Sequence, residues 1–435
     1  MTSLQIGFLG IAAVLVLLAL RVPIGVALGG VALVGLWWLR GLDVALGFVK
    51  STPFDFAAHW ELSAIPMFLL MGSLAHHTGI STALFRAARL WLGGLPGGLA
   101  IAANFACAGF AAASGSSVAT AAAMGRIALP EMLRAGYDKA LATGVVASSG
   151  TLGSLIPPSI LFVLFGVLAE VSISKLLIAG IFPGLLTAAV YAIMIFGRCV
   201  ANPAIAPRVS VEEARAERWA ALGDVWPLLC LILGIIGGIY AGFVTATEAG
   251  AFGAFLTILI ATIQRHLDWK GVRESIVESI ISTSAILFVA VGAVMLTKFL
   301  ALTGVPAYMG KLVASYAVDP LMLVIAASVV YLILGCFLDP LGIMLITIPV
   351  FLPMFEAAKL DLIWFGVIVV KYLEIGLLTP PIGFNVYVIK TVVGDQVPLE
   401  TIFRGVMWFL ACEVVVMALL IAFPQISLYL PNQMD

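Results

Sequence analysis

Long apolar runs limit what this chain can become. Ten of them, at 4–20, 22–41, 61–77, 139–168, 174–198, 222–241, 246–264, 276–301, 361–392 and 401–423, are nearly free of charge. About 20 apolar residues in a helix cross the hydrocarbon of a bilayer. Lipid admits only structures that satisfy their own backbone hydrogen bonds. The composition agrees: of 435 residues, 63% are hydrophobic and 10% are charged, where a soluble domain carries about 25% charge. The chain reads as an all-α polytopic membrane protein. The first run has no Lys or Arg before it and ends in ALRVP, not in a small-x-small cleavage site, so it reads as a retained helix.

Charge and cysteine usage exclude other classes. With Lys plus Arg at 22 and Asp plus Glu at 23, no basic excess is available to grip nucleic acid. Cys107, Cys199, Cys230, Cys336 and Cys412 are scattered without a CxxC and read as small core residues. His76 and His77 are adjacent, so on a helix they point about 100° apart and cannot share one metal.

Two further apolar stretches, 97–134 and 319–357, fit poorly as single spans. Each has room for two short helices around a small or polar interruption: Ser114-Gly115-Ser116-Ser117 in one, Gly335 to Pro340 in the other. Both read as re-entrant hairpins. Two long spans are also interrupted, 139–168 by GTLGSLIPPS and 361–392 by EIGLLTPPIG. A Pro-Pro pair removes two backbone donors and clashes with the preceding turn. At membrane depth such a break must face protein or a wet cavity.

These features recur in one fixed register. Leu129-Pro130 lies on Leu352-Pro353, Asp138 on Asp361, Gly153 on Gly376, Leu155 on Leu378, and Pro157-Pro158 on Pro380-Pro381. The same offset lays 4–20, 22–41 and 174–198 on later apolar runs without a gap. The chain divides into repeats at 1–220 and 221–435, each with five crossings and one hairpin. Five is odd, so the second repeat enters the membrane inverted. Inverted repeats with paired broken helices point to a secondary transporter whose site lies where the breaks meet. Lys and Arg in short loops set orientation. Arg198, Arg208, Arg215 and Arg218 flank one loop and Arg265, Lys270 and Arg273 another. Placing both in the cytoplasm leaves both termini outside. Arg86, Arg89, Arg134 and Lys139 then fall inside as well, while Arg40 and Lys50 land on the opposite face.

Several stretches carry a family resemblance: IPMFLLMGSLAHHTGI (65–80), ASGSSVATAAAMGRIALPEMLRAGYDKALA (113–142), GTLGSLIPPSILFVLFGVLAEVSISKLLIAGIFPGLL (150–186), GGIYAGFVTATEAGAFG (237–253) and EIGLLTPPIGFNVYVIK (374–390). The sequence resembles the DctM-type large permease subunit of tripartite ATP-independent periplasmic (TRAP) transporters, within the wider ion transporter superfamily. The resemblance implies a sodium-coupled elevator with scaffold and transport domains in a bacterial inner membrane. It also implies a separate four-helix membrane subunit against the glycine-rich helices of 4–41 and 222–264. A secreted binding protein would deliver small organic acids at the periplasmic face.

Sodium within a membrane is held by oxygens that are cheap to bury, and carbonyls freed at a break supply them. The first ion junction is expected to use Ser114, Gly153, Ile156 and Pro158. The repeat offset carries Gly153 and Ile156 onto Gly376 and Thr379, and the counterpart junction is expected to use these with Gly335 and Ile382. At least two sodium ions are expected. Asp339, a carboxylate beside Pro340 at a hairpin tip, is expected in the site and also fits an N-cap. Ser116, Ser117 and Thr120 suit a carboxylate substrate at a helix start or a capped tip. Asn385 suits either substrate or a helix–helix hydrogen bond.

Other residues read as structural. Lys371 and Glu374, three apart, pair on one helix face. Lys298 snorkels. Thr245 and Glu248 have capping-box spacing, and Asp138 and Asp361 cap the broken helices. Two rival functions remain. A serine intramembrane hydrolase would need G-x-S-G, but this chain has Ala112-Ala113-Ser114-Gly115 and no histidine after His266. A stand-alone sodium/carboxylate carrier of the same superfamily would need no partner subunits.

Overall fold

The computed structural model describes residues 1–207, 217–315 and 319–434. Arg208 and Arg215 lie outside the described residues. Some helices begin where a short polar side chain satisfies the free amides, others at a glycine or a proline. The chain opens with α1 (Ser3–Ala19), held by a Thr2/Gln5 capping box, then α2 (Ile24–Arg40) and α3 (Leu42–Ala57). A short 3₁₀ turn, Trp60–Ser63, leads into α4 (Ala64–His77), and Gly79 starts α5 (Ile80–Leu92).

Two helices then meet almost end to end. α6 (Gly98–Ser114) and α7 (Ser117–Arg134) are separated only by Gly115 and Ser116. Gly115 turns the chain at φ +64°, and a Cβ there would lie 2.7 Å from the Pro158 carbonyl oxygen. A side chain is therefore excluded by both backbone angle and space. Asp138 caps α8 (Lys139–Gly150) through the Leu141 amide. The helical path stops before Pro157-Pro158, and α9 (Ile160–Leu168) starts afresh with Ser159 as its cap. α10 (Ile173–Ala179) and α11 (Ile181–Ala201) follow.

The later part repeats many of these boundaries. α12 (Arg218–Gly223) precedes α13 (Trp226–Ile232), which passes through a π-turn at Leu233–Gly237 into α14 (Gly238–Tyr240). α15 (Ala246–Ile263) starts at the expected Thr245/Glu248 capping box. α16 (Trp269–Thr303) runs 35 residues without a break. After α17 (Val305–Ser315), α18 (Pro320–Gly335) and α19 (Pro340–Ala357) form the second closely joined pair. α7 and α19 are both 18 residues long, and their first residues, Ser117 and Pro340, stand in the same register as Pro157 and Pro380. Asp361 caps α20 (Leu362–Gly376), and α21 (Phe384–Val393) resumes after Pro380-Pro381. α22 (Leu399–Ala422) and α23 (Gln425–Leu428) complete the chain.

Six segments are long and apolar enough to cross a membrane, among the described residues. The largest core cluster joins α9, α16, α19 and α20, with Phe162, Phe165, Phe299, Phe355 and Phe365 fully buried. A second joins α6, α7, α8, α11 and α22. Glycine brings α8 and α22 into backbone contact: a Cβ on Gly144 would lie 2.6 Å from the Gly405 carbonyl carbon.

The structure corrects the sequence reading at several places. The span read at 276–301 is the middle of a longer helix, because nothing between Asp268 and Gly304 interrupts it. α3, α5 and α17 had no counterpart among the expected spans; α5 is strongly amphipathic, so its polar residues break up the apolar run. Lys298 does not merely snorkel: its ammonium donates to Thr52 Oγ1 at 3.1 Å and lies 5.7 Å from the Phe48 ring centroid.

Candidate functional site

The first tip sits directly against the first break. Ser116 accepts from the Ala119 amide and starts α7. Ser117 Oγ donates to the Thr151 carbonyl at 2.9 Å and lies 2.6 Å from Ser154 Oγ. Ser114 and Thr120 share a 2.6 Å hydroxyl contact across the turn. The approach is close because Gly153 has no side chain: a Cβ there would lie 2.5 Å from the Ser116 carbonyl oxygen and 2.6 Å from Thr120 Oγ1. The Ile160 amide donates back to the Gly115 carbonyl at 3.5 Å. Ser114, Gly153 and Pro158 therefore come together around one small volume, with the Ile156 side chain packed instead toward Gly184.

The second tip meets the second break through glycine. A Cβ on Gly335 would lie 2.9 Å from the Gly376 Cα. Thr379 Oγ1 donates to the Ile375 carbonyl at 2.7 Å. Ile382 is half-buried past the Pro-Pro pair, on the far side of the break from Gly376 in sequence. Asp339, half-buried, accepts from the Leu341 and Gly342 amides at 3.1 and 3.2 Å and caps α19. The N-cap reading of Asp339 is thus realised.

Both tips border one cavity of about 690 Å³. Ser114 to Ala119 line it from the first pair, and Asp339, Pro340 and Leu341 from the second. Ser154 and Leu377 contribute from the two breaks. His76, His77, Arg126 and Glu278 form its charged and titratable rim, and Ser73 donates to Glu278 at 2.5 Å. Thr120 and Asn385 do not line this cavity; each is fully buried behind it. Asn385 Nδ2 donates to the Ala147 carbonyl at 3.1 Å, tying α21 to α8, while its Oδ1 has no partner among the described residues. Of the two sequence readings of Asn385, the helix–helix bond is present. A second cavity of about 1010 Å³ lies farther along α16, beside Thr297, Lys298 and Ala301.

Sequence reasoning found half of one charged cluster. Lys371 Nζ lies 3.2 Å from Glu374 Oε2, as the spacing predicts, and 2.8 Å from Glu413 Oε1 on α22. Tyr191 on α11 donates its hydroxyl to the same Glu413 oxygen. Lys371 and Glu374 are 0% exposed and Glu413 is 1% exposed. Glu413 had a signal of its own, since a carboxylate in the middle of an apolar run is costly and marks a specific partner. Its partner lies 42 residues away and could not be read from spacing.

The DctM component of the tripartite ATP-independent periplasmic transporter matches residues 11–426. A C4-dicarboxylate TRAP transporter large permease protein DctM from Pseudomonas aeruginosa is 38% identical over 87% of this chain and 88% of its own length. The sialic acid TRAP transporter large permease protein SiaM of Vibrio cholerae is 32% identical over 89% of this chain and 93% of its own. Among solved structures, the YdaH transporter of Alcanivorax borkumensis has the same fold, with a TM-score of 0.59 and 15% identity over 87% of this chain and 89% of that one. MtrF of Neisseria gonorrhoeae gives 0.57 and 14%, over 88% and 85%. The chain is a multi-pass membrane protein and not an enzyme; it belongs to the DctM family of TRAP transporter large permeases.

Proposed function

We propose that this chain is the large membrane subunit of a sodium-coupled importer of small organic acids, working by an elevator motion. The observation that carries the reading is the convergence of both helix-pair tips and both helix breaks on one cavity. Serine hydroxyls at the first tip and carbonyls around the two breaks offer an anion site between two cation sites. The matched starts of α7 and α19 support an inverted repeat of 1–220 and 221–435, with 97–134 and 319–357 as its re-entrant hairpins. Sodium would sit at Ser114, Gly153, Ile156 and Pro158, and at Gly335, Gly376, Thr379 and Ile382. Neutral oxygens suit such an ion, and the buried, unpartnered Asn385 Oδ1 and Ser148 Oγ beside the breaks fit an oxygen-ligated cation.

Substrate would bind through Ser116, Ser117 and Asp339 at the tips, with Thr120 and Asn385 holding the tip and break behind them. Arg126 on the rim can meet an anion, beside the carboxylates of Glu278 and Asp339. Two relatives are named for C4-dicarboxylates and sialic acid, which supports a carboxylate substrate. With the basic loops cytoplasmic, both termini are periplasmic and the cavity beside Glu278 opens inward. The helices of 4–41 and 222–264 would form the fixed scaffold and meet a four-helix subunit in the inner membrane. A periplasmic binding protein would deliver substrate from the other side.

The test is uptake in proteoliposomes holding this chain, a small subunit and a binding protein, against a panel of mono- and dicarboxylates and sugar acids. Uptake of one acid that follows an inward sodium gradient is expected. Uptake indifferent to that gradient, or of no acid at all, overturns the reading.

A further inference from the structure

Arg198 stands in the last turn of α11 with its guanidinium carbon 4.4 Å from the ring centroid of Trp408 on α22. Its side chain makes no hydrogen bond or ion pair among the described residues, and its Nη1 is buried without a partner. Asp138 does not serve, because it is taken up as the cap of α8 with the Leu141 amide. Stacking on the indole fixes the guanidinium but satisfies none of its N–H donors. A half-buried guanidinium in this state is suited to an acceptor from outside the chain. Arg404 repeats the pattern. Four residues before Trp408, it stands on the same exposed stripe of α22, about 6 Å nearer the helix start. It too makes no ion pair among the described residues, even with Glu400 one turn back, where the spacing would allow one.

The surroundings are apolar. Ile193, Phe196 and Val200 on α11 and Met407 on α22 are all exposed, and Trp408 itself is 51% exposed. Two unpaired guanidiniums and an indole at the edge of an apolar surface match a phospholipid. Phosphodiester oxygens fit the guanidinium fork, an indole settles at headgroup depth, and acyl chains cover the apolar residues. A free phosphate would use the cations but leave the apolar surface idle. Against Glu400, the two cations keep the stripe net positive, so an acidic headgroup is favoured over a zwitterionic one. We infer that Arg198, Trp408 and Arg404 hold the headgroup of an anionic phospholipid. Under the orientation proposed above, it lies in the leaflet that faces the cytoplasm. α11 and α22 pack in one core with α6, α7 and α8, so the lipid is held by the unit that carries the first tip. Each Lys or Arg near an anionic headgroup changes affinity by about fivefold.

The experiment is native mass spectrometry of the full chain, purified with its small membrane subunit and titrated with dioleoyl phosphatidylglycerol. Dioleoyl phosphatidylcholine and inorganic phosphate are the comparison ligands. A saturable phosphatidylglycerol adduct is expected at concentrations where phosphatidylcholine gives none, and inorganic phosphate at the same concentration should not displace it. Arg198→Gln and Arg404→Gln are each expected to weaken that adduct about fivefold, and the double variant more than either. Arg404 is exposed, so its variant tests the site even where Arg198→Gln fails to fold. Lys270→Gln removes another exposed cation from the same membrane face and is expected within about twofold of wild type. Equal binding of the two lipids overturns the inference, as do Arg404→Gln curves within about twofold of wild type. A Lys270→Gln loss as large as the arginine losses would assign the binding to diffuse attraction and overturn it. Displacement by inorganic phosphate would make this a free-phosphate site and overturn the lipid assignment.

Discussion

Gly153→Ala tests whether the contact between the first tip and the first break controls ion binding. The substitution adds one methyl group at a position with ordinary backbone angles, so the effect is steric alone. That methyl would lie 2.5 Å from the Ser116 carbonyl oxygen, where ordinary contact begins at 3.4 Å. The neighbours are a backbone carbonyl and a short hydroxyl side chain, which cannot swing aside as a long side chain can. The tip must retreat from the break by about 0.9 Å. Overpacking of this kind costs about 1–3 kcal/mol. Retreat relieves the strain when the junction is open, and ion binding must then restore it. A difference of about 1–3 kcal/mol between two states is roughly a 5- to 150-fold change in affinity. The sodium concentration for half-maximal uptake should rise by a factor in that range, while insertion is retained. Gly197→Ala is the control: a Cβ there meets nothing within 4 Å, and alanine is the better helix former. A Gly153→Ala protein with a sodium dependence within about twofold of wild type would refute the argument that this contact shapes the ion site.

Further outcomes follow from the same geometry. Gly376→Ala should raise the sodium requirement in the same direction but less, since its nearest obstacle is the Gly335 Cα at 2.9 Å; an unchanged sodium curve would count against the second junction. Asp339→Ser keeps a helix cap and removes the charge, whereas Asp339→Ala removes both. If the charge is needed for transport, both lose sodium-driven uptake and only alanine also loses about 1 kcal/mol of stability; full uptake by Asp339→Ser would reduce Asp339 to a cap. Gly405→Ala should lower the fraction of folded, monodisperse protein, because a Cβ there collides with the Ala140 carbonyl, its carbon only 2.7 Å away. The chain without a small subunit or binding protein should take up no free acid; robust uptake by the chain alone would favour a stand-alone carrier.

Sequence and structure contribute differently to this protein. Local chemistry was legible wherever its partner lay close in sequence. Asp138, Asp361 and Thr245 cap helices as their positions imply, and helical path stops ahead of both Pro-Pro pairs. Each tip lies against the break expected for it, through Gly153 against Ser116 and Thr120 and through Gly376 against Gly335. α5 escaped notice because a short amphipathic helix does not stand out as an apolar run, and α3 because Asp43, Lys50, Pro53 and Asp55 interrupt its apolar residues.

Apolar runs, caps and Pro-Pro breaks act within a few residues of themselves, so the order and ends of most helices follow from the chain alone. The long-range choices do not. Whether Asn385 meets a substrate or the Ala147 carbonyl depends on where α8 lies, 238 residues away. Lys371 satisfies its sequence neighbour Glu374, yet its shorter contact is to Glu413, and the buried polar cluster closes only when α20, α22 and α11 pack together. The shared cavity likewise exists only because tertiary packing brings Ser116 and Asp339 to the same void. Backbone propensity is a local energy, whereas the pairing of buried charges and the shape of a cavity are properties of the assembled helices.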